Sequence, residues 1–169
     1  MPIQGLRIIM VNGSTTTVLT PGELLTHWQE HRRLTRKVFE AFPDDKLFQY
    51  SIGGMRTFGE LGNEFLGMAL PTVRGMTTGR WEKFELARPT TKQELLAEWD
   101  TQTADLDKEF SLIPAGRFSE TMKAFGQWES KGFQVLFYVI DNEVHHRGQG
   151  YVYLRSLGIE PPAFYDREM

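Results

Sequence analysis

A long stretch near the C-terminus constrains the fold more than any other part of the chain. Between residues 133 and 154, large apolar side chains recur at steps of three and four, which is the period of a helix. The recurring positions are Phe133, Leu136, Phe137, Ile140, Val144, Tyr151 and Leu154. Gly158 and Pro161–Pro162 follow, and glycine caps helices whereas proline cannot continue one. The sequence therefore predicts one long helix with a defined C-terminal end.

The same predicted helix carries a run of polar residues at 141–149. Asn142 and His146 are four residues apart, so they share one face of the helix. Val139 and Val135 lie on that face one and two turns earlier, so the face is apolar before it becomes polar. Because polar groups are costly to bury without partners, this change indicates a functional site.

Three further helices are predicted from their start signals. Each begins with a threonine followed three residues later by a glutamate, the pattern of a capping box. These pairs are Thr20–Glu23, Thr57–Glu60 and Thr91–Glu94. Pro43 and Pro114 end the first and third helices, whereas Pro71 predicts a kink or a break in the hydrogen bonding of the second. Four helices with three connections predict an all-α four-helix bundle over residues 20–169.

Residues 1–19 are predicted to form an N-terminal extension outside the bundle. Leu6–Val11 and Thr15–Leu19 are rich in residues that favour strands, and Asn12–Gly13 between them favours a two-residue hairpin turn. A strand pair or a loose segment lying on the bundle is the favoured interpretation, and an arm that contacts a second subunit is the alternative.

The two longer connections are predicted to be loops. Residues 77–90 are predicted to form a loop, and Arg80–Leu86 within it could be a short extended segment. Residues 115–131 contain several large apolar side chains and are predicted to form an ordered loop over one end of the bundle, with Ser130 as the cap of the fourth helix.

Composition excludes several classes of protein. The chain of 169 residues has a formal net charge of −3, so it lacks the excess of basic residues that is typical of nucleic-acid-binding proteins. It has no cysteine, which excludes disulfides, thiolate metal sites and a cysteine nucleophile. No apolar run reaches membrane-spanning length, and the apolar patch Leu6–Val11 is too short for a signal peptide. We therefore expect a cytoplasmic protein with no membrane or nucleic-acid partner.

Bundles build their sites from side chains on facing helices, and the predicted inward polar residues are His31, Glu64, Asn142 and His146. Two imidazoles and a carboxylate suit a divalent ion such as zinc, nickel, iron or manganese. Asn142 is a poorer ligand that could instead hold a water or orient His146. Without a metal, His146 and Glu64 could act as an acid–base couple.

For the His27–His31 pair and for Arg147, a structural role is the alternative to a functional one. His27 and His31 have the i, i+4 spacing of many helical metal sites. The favoured alternative to a metal site is that one of these histidines is buried and hydrogen-bonded, while the other lies at the edge of the apolar stripe. Arg147 and His27 are candidates for substrate binding, and a salt bridge to a neighbouring helix or subunit is an equal alternative for Arg147.

These residues resemble a known family. The motif His-His-Arg-Gly-Gln at 145–149, Tyr-Leu-Arg at 153–155 and Leu-Gly-Ile-Glu-Pro-Pro at 157–162 closely resemble the signature of the DinB-like (DinB/YfiT) superfamily. The segments around residues 54–61 and Trp28 with Arg32 resemble its second and first helices. The resemblance, over roughly residues 20–165, implies a four-helix bundle that is often a homodimer. It also implies a divalent metal held by three histidines. Members with known activity include thiol S-transferases that use low-molecular-weight thiols, isomerases and hydrolases.

The sequence departs from that family pattern at two of the three metal positions. The position on the second helix falls on Glu64 and the first position on the fourth helix falls on Asn142, so only His146 is kept. Either metal binding is lost, or the site is rebuilt from Glu64, His146 and His31 with Asn142 assisting. A carboxylate and an amide in place of imidazoles would favour harder ions.

Two functions are therefore predicted from different classes. The first is a metal-dependent transferase or hydrolase that acts on a small molecule, with His146 and Glu64 as catalytic residues. The second is a metal-free, non-catalytic small-molecule-binding or stress-response protein. A third hypothesis is that the inward polar groups form only a structural hydrogen-bond network.

Overall fold

A computed structural model describes residues 9–11, 14–16, 18–83 and 85–168. Four long helices dominate it, as the sequence predicts: α1 Pro21–Ala41, α2 Phe58–Thr78, α3 Lys92–Phe110 and α4 Gly132–Ser156. Helices α1 and α2 each pack against both α3 and α4. The predicted all-α bundle is confirmed. Within the described ranges, no helix has the length and apolar character needed to cross a membrane.

The helix starts follow from local side-chain chemistry. The hydroxyls of Thr20, Thr57 and Thr91 each accept a hydrogen bond of 3.2 Å from the backbone N–H of the glutamate three residues later. The carboxylate of that glutamate accepts a hydrogen bond from the backbone N–H of the threonine. All three predicted capping boxes are confirmed. The predicted cap of the fourth helix is wrong: Lys131 is the N-cap, and its N–H donates to the Gln134 side chain at 2.9 Å. Ser130 lies in a strand instead.

Helix α2 runs through Pro71 to Thr78, so this proline does not end the helix. The neighbours Leu70, Thr72 and Val73 are buried, and packing of a buried face supplies most of the stability of a protein helix. The helix ends at Gly79, whose φ of 74° lies in the left-handed region that glycine adopts readily.

Two hairpins accompany the helices. Strands β1 Ile9–Val11 and β2 Ser14–Thr16 pair antiparallel, which confirms the predicted N-terminal hairpin; its predicted turn at 12–13 lies outside the described residues. After a short 3-10 helix at Ala115–Phe118, strands β3 Thr121–Ala124 and β4 Trp128–Lys131 form a second hairpin, which the sequence analysis missed.

The second hairpin covers one end of the bundle, as expected for residues 115–131. Met122 and Ala124 alternate with exposed neighbours and join the apolar core. Their alternation spans only four residues, which is too short to separate a strand from an ordered loop by pattern. In the connection before α3, no strand occurs in the described part of Arg80–Leu86.

The core consists of two apolar clusters with a polar layer between them. One cluster contains Trp28, Val73, Phe110 and Leu136, and the other contains Phe39, Phe58, Trp99 and Leu154. The polar layer consists of side chains buried between these clusters along α1, α3 and α4: Gln29, His31, Arg32, Thr35, Gln102, Glu143 and Arg147. This layer sets the position of the candidate site.

Two glycines of α4 test how tightly the bundle is packed. A Cβ on Gly150 would lie 2.6 Å from the ring of the buried Phe58, whereas a Cβ on Gly148 would meet nothing within 4 Å. Alanine is favoured over glycine in helices by about 1 kcal/mol. We predict that Gly148→Ala stabilises the protein by up to that amount. Gly150→Ala should instead destabilise it, by about 1–3 kcal/mol, because of overpacking.

Urea unfolding of both variants measures these changes in the free energy of unfolding. Because the two substitutions are chemically identical and lie on one helix, each is the control for the other. Equal stabilisation by both would contradict the close packing of α4 against α2.

Candidate functional site

Helix α4 buries only part of the stripe that its apolar period predicts: Leu136, Ile140 and Leu154 are buried. Phe133, Phe137 and Val144 are exposed, whereas Glu143 and Arg147 are buried. Leu136 and Ile140 precede Glu143 and Arg147 at helical spacing, so the buried stripe continues from aliphatic into charged residues. Burying charges requires partners. Two polar clusters lie on adjacent faces of α4, and the first of them supplies these partners.

The first cluster links α4 to α1 around Glu143. The Thr35 hydroxyl donates to Glu143 Oε1 at 2.5 Å, and Arg147 Nη1 lies 3.9 Å from the same oxygen. Arg147 also donates to Thr35 Oγ1 at 3.0 Å, to the His31 carbonyl at 3.1 Å and to His31 Nδ1 at 2.9 Å. One guanidinium therefore holds three acceptors of α1.

Arg32 is the second cation near Glu143, and it is fully buried. Its guanidinium lies 3.8 Å from the centroid of the Trp99 ring and donates to Thr103 Oγ1 at 3.0 Å and to the Trp99 carbonyl at 3.3 Å. Burial raises the pKa of the Glu143 carboxyl, whereas the charge of Arg32, the Thr35 hydrogen bond and the charge of Arg147 act to lower it. This cluster connects α1, α3 and α4.

His31 is a neutral member of the first cluster. Burial, followed by the charges of Arg147 and Arg167, lowers its pKa to about 3. Since a guanidinium only donates, Nδ1 of His31 must accept, and the ring proton lies on Nε2. The lone pair that a metal would need at Nδ1 is therefore used by Arg147.

His27 packs edge-on against His31, with 4.6 Å between ring centroids, and it is exposed. This arrangement agrees with one buried, hydrogen-bonded histidine and one at the edge of the stripe. No described contact joins His27 or His31 to Glu64 or His146.

The second cluster joins α2 to the neighbouring face of α4. Asn142 Nδ2 donates to Glu64 Oε1 at 2.9 Å, and His146 Nε2 lies 3.6 Å from that oxygen. Arg56 forms a close ion pair with Glu64 Oε2. The side chains of Glu64 and His146 are 16% and 15% exposed, so the cluster is reachable from solvent. We call these four residues, Arg56, Glu64, Asn142 and His146, the Glu64 cluster.

Neighbouring residues hold the Glu64 cluster in place. The Tyr153 hydroxyl donates to the Arg56 carbonyl at 2.9 Å, which fixes the segment that carries the guanidinium. The His146 ring stacks on Phe65, with 6.1 Å between centroids. Its Nδ1 is buried and has no hydrogen-bond partner among the described residues. The proximity of His146, opposed by burial and assisted by Arg56, lowers the pKa of Glu64 below its ordinary 4.5, so this carboxylate is ionised near neutral pH.

The donor set of the Glu64 cluster does not fit a resident zinc or nickel ion. Asn142 Nδ2 faces two acceptors, Glu64 Oε1 and Met68 Sδ at 3.1 Å, so its NH2 group and not its oxygen points into the cluster. The guanidinium of Arg56 already neutralises the carboxylate. In the described part of the chain, no three His, Asp or Glu side chains are grouped so that they could hold a metal. One imidazole and one paired carboxylate remain.

Of the four residues predicted to converge, Glu64, Asn142 and His146 lie together, whereas His31 lies against Arg147. No role was predicted for Arg56, Arg32, Thr35 or Glu143. Glu143 could have been found, because it follows Leu136 and Ile140 at steps of seven and three. Arg56 carries no such signal, because it precedes α2 in a turn-rich segment.

Comparisons with known proteins agree with this architecture. The model of the DinB family matches residues 10–169. A DinB-like protein from Bacillus cereus ATCC 10987 is 19% identical with a TM-score of 0.67, over 85% of this chain and 97% of that one. A DinB-like protein from Bacillus subtilis, YjoA, is 20% identical with a TM-score of 0.68, over 87% and 99%. A search of curated proteins found no match. These likenesses establish the fold.

The lowered pKa of His31 predicts a pH-dependent stability. In the unfolded chain this histidine takes up a proton near its ordinary pKa of 6.5, whereas the folded protein resists protonation down to about 3. Stability should therefore fall as the pH drops below 6.5, by at most about 1.4 kcal/mol per pH unit from this residue. His31→Asn keeps an acceptor for Arg147 and should remove this part of the slope.

Urea unfolding between about pH 7.5 and pH 5, where histidines dominate titration, measures the slope. The exposed His145→Asn variant is the control and should keep the slope of the parent. If His31→Asn keeps it too, His31 is not held neutral in the fold.

Removing the Glu143 carboxylate should leave two buried arginines without their shared anion. We predict that Glu143→Ala lowers the free energy of unfolding by about 3–5 kcal/mol, the usual cost of breaking a buried ion pair. The exposed Glu160→Ala should change it by less than about 0.5 kcal/mol. Thermal and urea unfolding measure both variants, and a loss for Glu143→Ala as small as that of the control would contradict a stabilising role for the layer.

Proposed function

The chain belongs to the DinB family, and we propose that it binds a small molecule at the Glu64 cluster without a resident metal ion. The observation that supports this proposal most directly is that both carboxylate oxygens of Glu64 already have partners. Oε2 faces the Arg56 guanidinium and Oε1 accepts from the Asn142 amide. A carboxylate neutralised in this way offers little to a divalent cation, because a metal would have to displace a guanidinium that is charged at all accessible pH values.

The geometry around Oε1 favours a particular class of ligand. Glu64 Oε1 and His146 Nε2 are 3.6 Å apart, which is too long for a direct hydrogen bond. A group that lies beside both atoms and carries an exchangeable proton can donate to the ionised carboxylate and bond to the imidazole as well. Hydroxyl, amine and thiol groups have this property, so a low-molecular-weight thiol is one candidate ligand. Phe65 and Met68, which contact His146 and Asn142, add apolar surface beside it.

His146 would be the residue that exchanges a proton with such a ligand. Its ring stacks on Phe65, and its Nε2 lies 3.6 Å from Glu64 Oε1. This pair supports acid–base chemistry on the bound group, and binding alone requires no more than the same contacts.

A metal-dependent transferase or hydrolase is the second candidate function. One observation favours it: atoms 3.6 Å apart can both ligate one ion at bond lengths of about 2.0–2.2 Å. In that case Glu64 and His146 would be the ligands, the ion would polarise a substrate, and Arg56 would have to leave the carboxylate.

Replacing the carboxylate by its amide tests the proposed ligand site. Glu64→Gln keeps the shape but removes the charge that accepts the ligand proton and balances Arg56. We predict at least a tenfold loss of affinity, about 1.4 kcal/mol. The probes are thioglycerol, 3-amino-1,2-propanediol and glycerol, which differ only in the group offered, and ligand-observed NMR titration measures their binding. The exposed Glu98→Gln on α3 is the control and should bind as the parent does.

Elemental analysis of untagged protein separates the two candidate functions. We expect no stoichiometric metal in the parent, and a gain of zinc binding in a Glu64→His, Asn142→His double variant, which places three imidazoles at the positions now brought together. One tightly held ion per chain in the parent, absent from His146→Ala, would replace this proposal with the metal-dependent enzyme.

A further inference from the structure

The Glu64 cluster presents a positive and a negative charge side by side. Arg56 Nη1 pairs with Glu64 Oε2. The side chain of Arg56 is 46% exposed, whereas that of Glu64 is 16% exposed. The guanidinium is therefore the more accessible of the two charged groups, and it forms the rim of the cluster towards solvent.

Arg56 keeps hydrogen-bond donors for a ligand. A guanidinium has five N–H donors in a fixed planar arrangement. In the described part of the chain, only Nη1 of Arg56 has an acceptor, so the donors on Nε and Nη2 are available. Arginine binds carboxylates through two parallel hydrogen bonds of this kind. The exposed edge of Arg56 is therefore suited to a carboxylate group.

The position of Arg56 is fixed before any ligand binds. The hydroxyl of Tyr153 donates to the Arg56 carbonyl at 2.9 Å, and Tyr153 is fully buried on α4. The ion pair with Glu64 holds the other end of the side chain. Groups that are held in place in the free protein lose less conformational freedom on binding, which favours affinity.

Glu64 can accept one more hydrogen bond on the side away from Arg56. Its Oε1 accepts from Asn142 Nδ2 at 2.9 Å, and a carboxylate oxygen has a second lone pair. Hydroxyl, thiol and amine groups can all donate to it. Only the amine is positively charged at neutral pH, and hydrogen bonds between charged groups are about twice as strong as those between neutral ones.

The charge balance of the cluster selects between ligands. Because Arg56 already neutralises Glu64, a ligand with an ammonium group alone leaves an excess positive charge in a partly buried place. A ligand with a carboxylate alone leaves an excess negative charge beside Glu64. Uncompensated charge away from water is costly. A ligand that carries both groups adds no net charge and gives each charge of the protein a partner.

We infer that the ligand of the Glu64 cluster is a small zwitterion of the amino-acid class. Its ammonium group donates to Glu64 Oε1, and its carboxylate accepts from Nε and Nη2 of Arg56. This inference rests on the proposed function and narrows the class of ligand. Arg56 is then a ligand-binding residue, in addition to being the counter-charge of Glu64.

Four ligands with one three-carbon skeleton test this inference. Glycerol is uncharged, 3-amino-1,2-propanediol is positively charged, glycerate is negatively charged, and 3-amino-2-hydroxypropanoate carries both charges. Ligand-observed NMR titration at pH 7 measures the dissociation constant of each. We expect the zwitterion to bind the parent at least tenfold more tightly than either singly charged compound, a difference of about 1.4 kcal/mol.

One variant and one control assign the carboxylate to Arg56. Arg56→Gln removes the guanidinium but keeps the hydrogen bond from Tyr153, which is made to the backbone. It should bind the zwitterion no more tightly than 3-amino-1,2-propanediol. It should bind that cation at least as tightly as the parent does, because Glu64 loses its counter-charge. Arg88→Gln removes the same charge at an exposed position before α3 and should keep the tenfold preference. Circular dichroism checks that both variants are folded.

The possible failures are distinguishable. If the parent binds the zwitterion and 3-amino-1,2-propanediol equally, and Glu64→Gln binds neither, the inference is wrong and the proposed function stands. A tenfold preference that persists in Arg56→Gln would also overturn the inference, since the carboxylate would then lie elsewhere. If none of the four ligands binds the parent, the proposed function and the inference are both contradicted.

Discussion

The structure depends on a buried carboxylate, Glu143, that lies between two buried arginines. Arg32 comes from α1 and reaches α3, and Arg147 comes from α4 and holds α1. Apolar contacts tolerate small shifts of one helix along another, whereas hydrogen bonds of about 3 Å do not. The polar layer therefore sets the register of the helices between the two apolar clusters. We regard specificity of packing, and not only stability, as its contribution.

This register gives α4 different neighbours on its different faces. Asn142 and His146 meet Glu64 and Phe65 of α2, whereas Glu143 and Arg147 meet Thr35 and His31 of α1. The face towards α2 is partly open to solvent and contains the ion pair of Arg56 and Glu64. The face towards α1 is closed and its charges are fixed. The candidate site therefore lies on the first face, while the second maintains the geometry.

Arg56 sets the net charge of the Glu64 cluster. A carboxylate in place of an imidazole changes the charge of the cluster by one unit, and the guanidinium restores neutrality. The carboxylate, the guanidinium and the amide donor then form a charge-compensated set. Tyr153, on α4, fixes the backbone of Arg56, so the same helix supplies both the imidazole and the support for the cation.

The sequence by itself determined the features that depend on neighbouring residues along the chain. Capping boxes set three helix starts, apolar periods set the four helices, and the spacing of Asn142 and His146 placed them on one face of α4. Tertiary structure decided the rest, because burial and pairing depend on residues distant in sequence. It buried Glu143 while exposing Phe137 and Val144, turned His31 towards Arg147, and brought Arg56 onto Glu64. It also folded residues 121–131 as a hairpin, because only the end of the bundle provides the surface on which Met122 and Ala124 are buried.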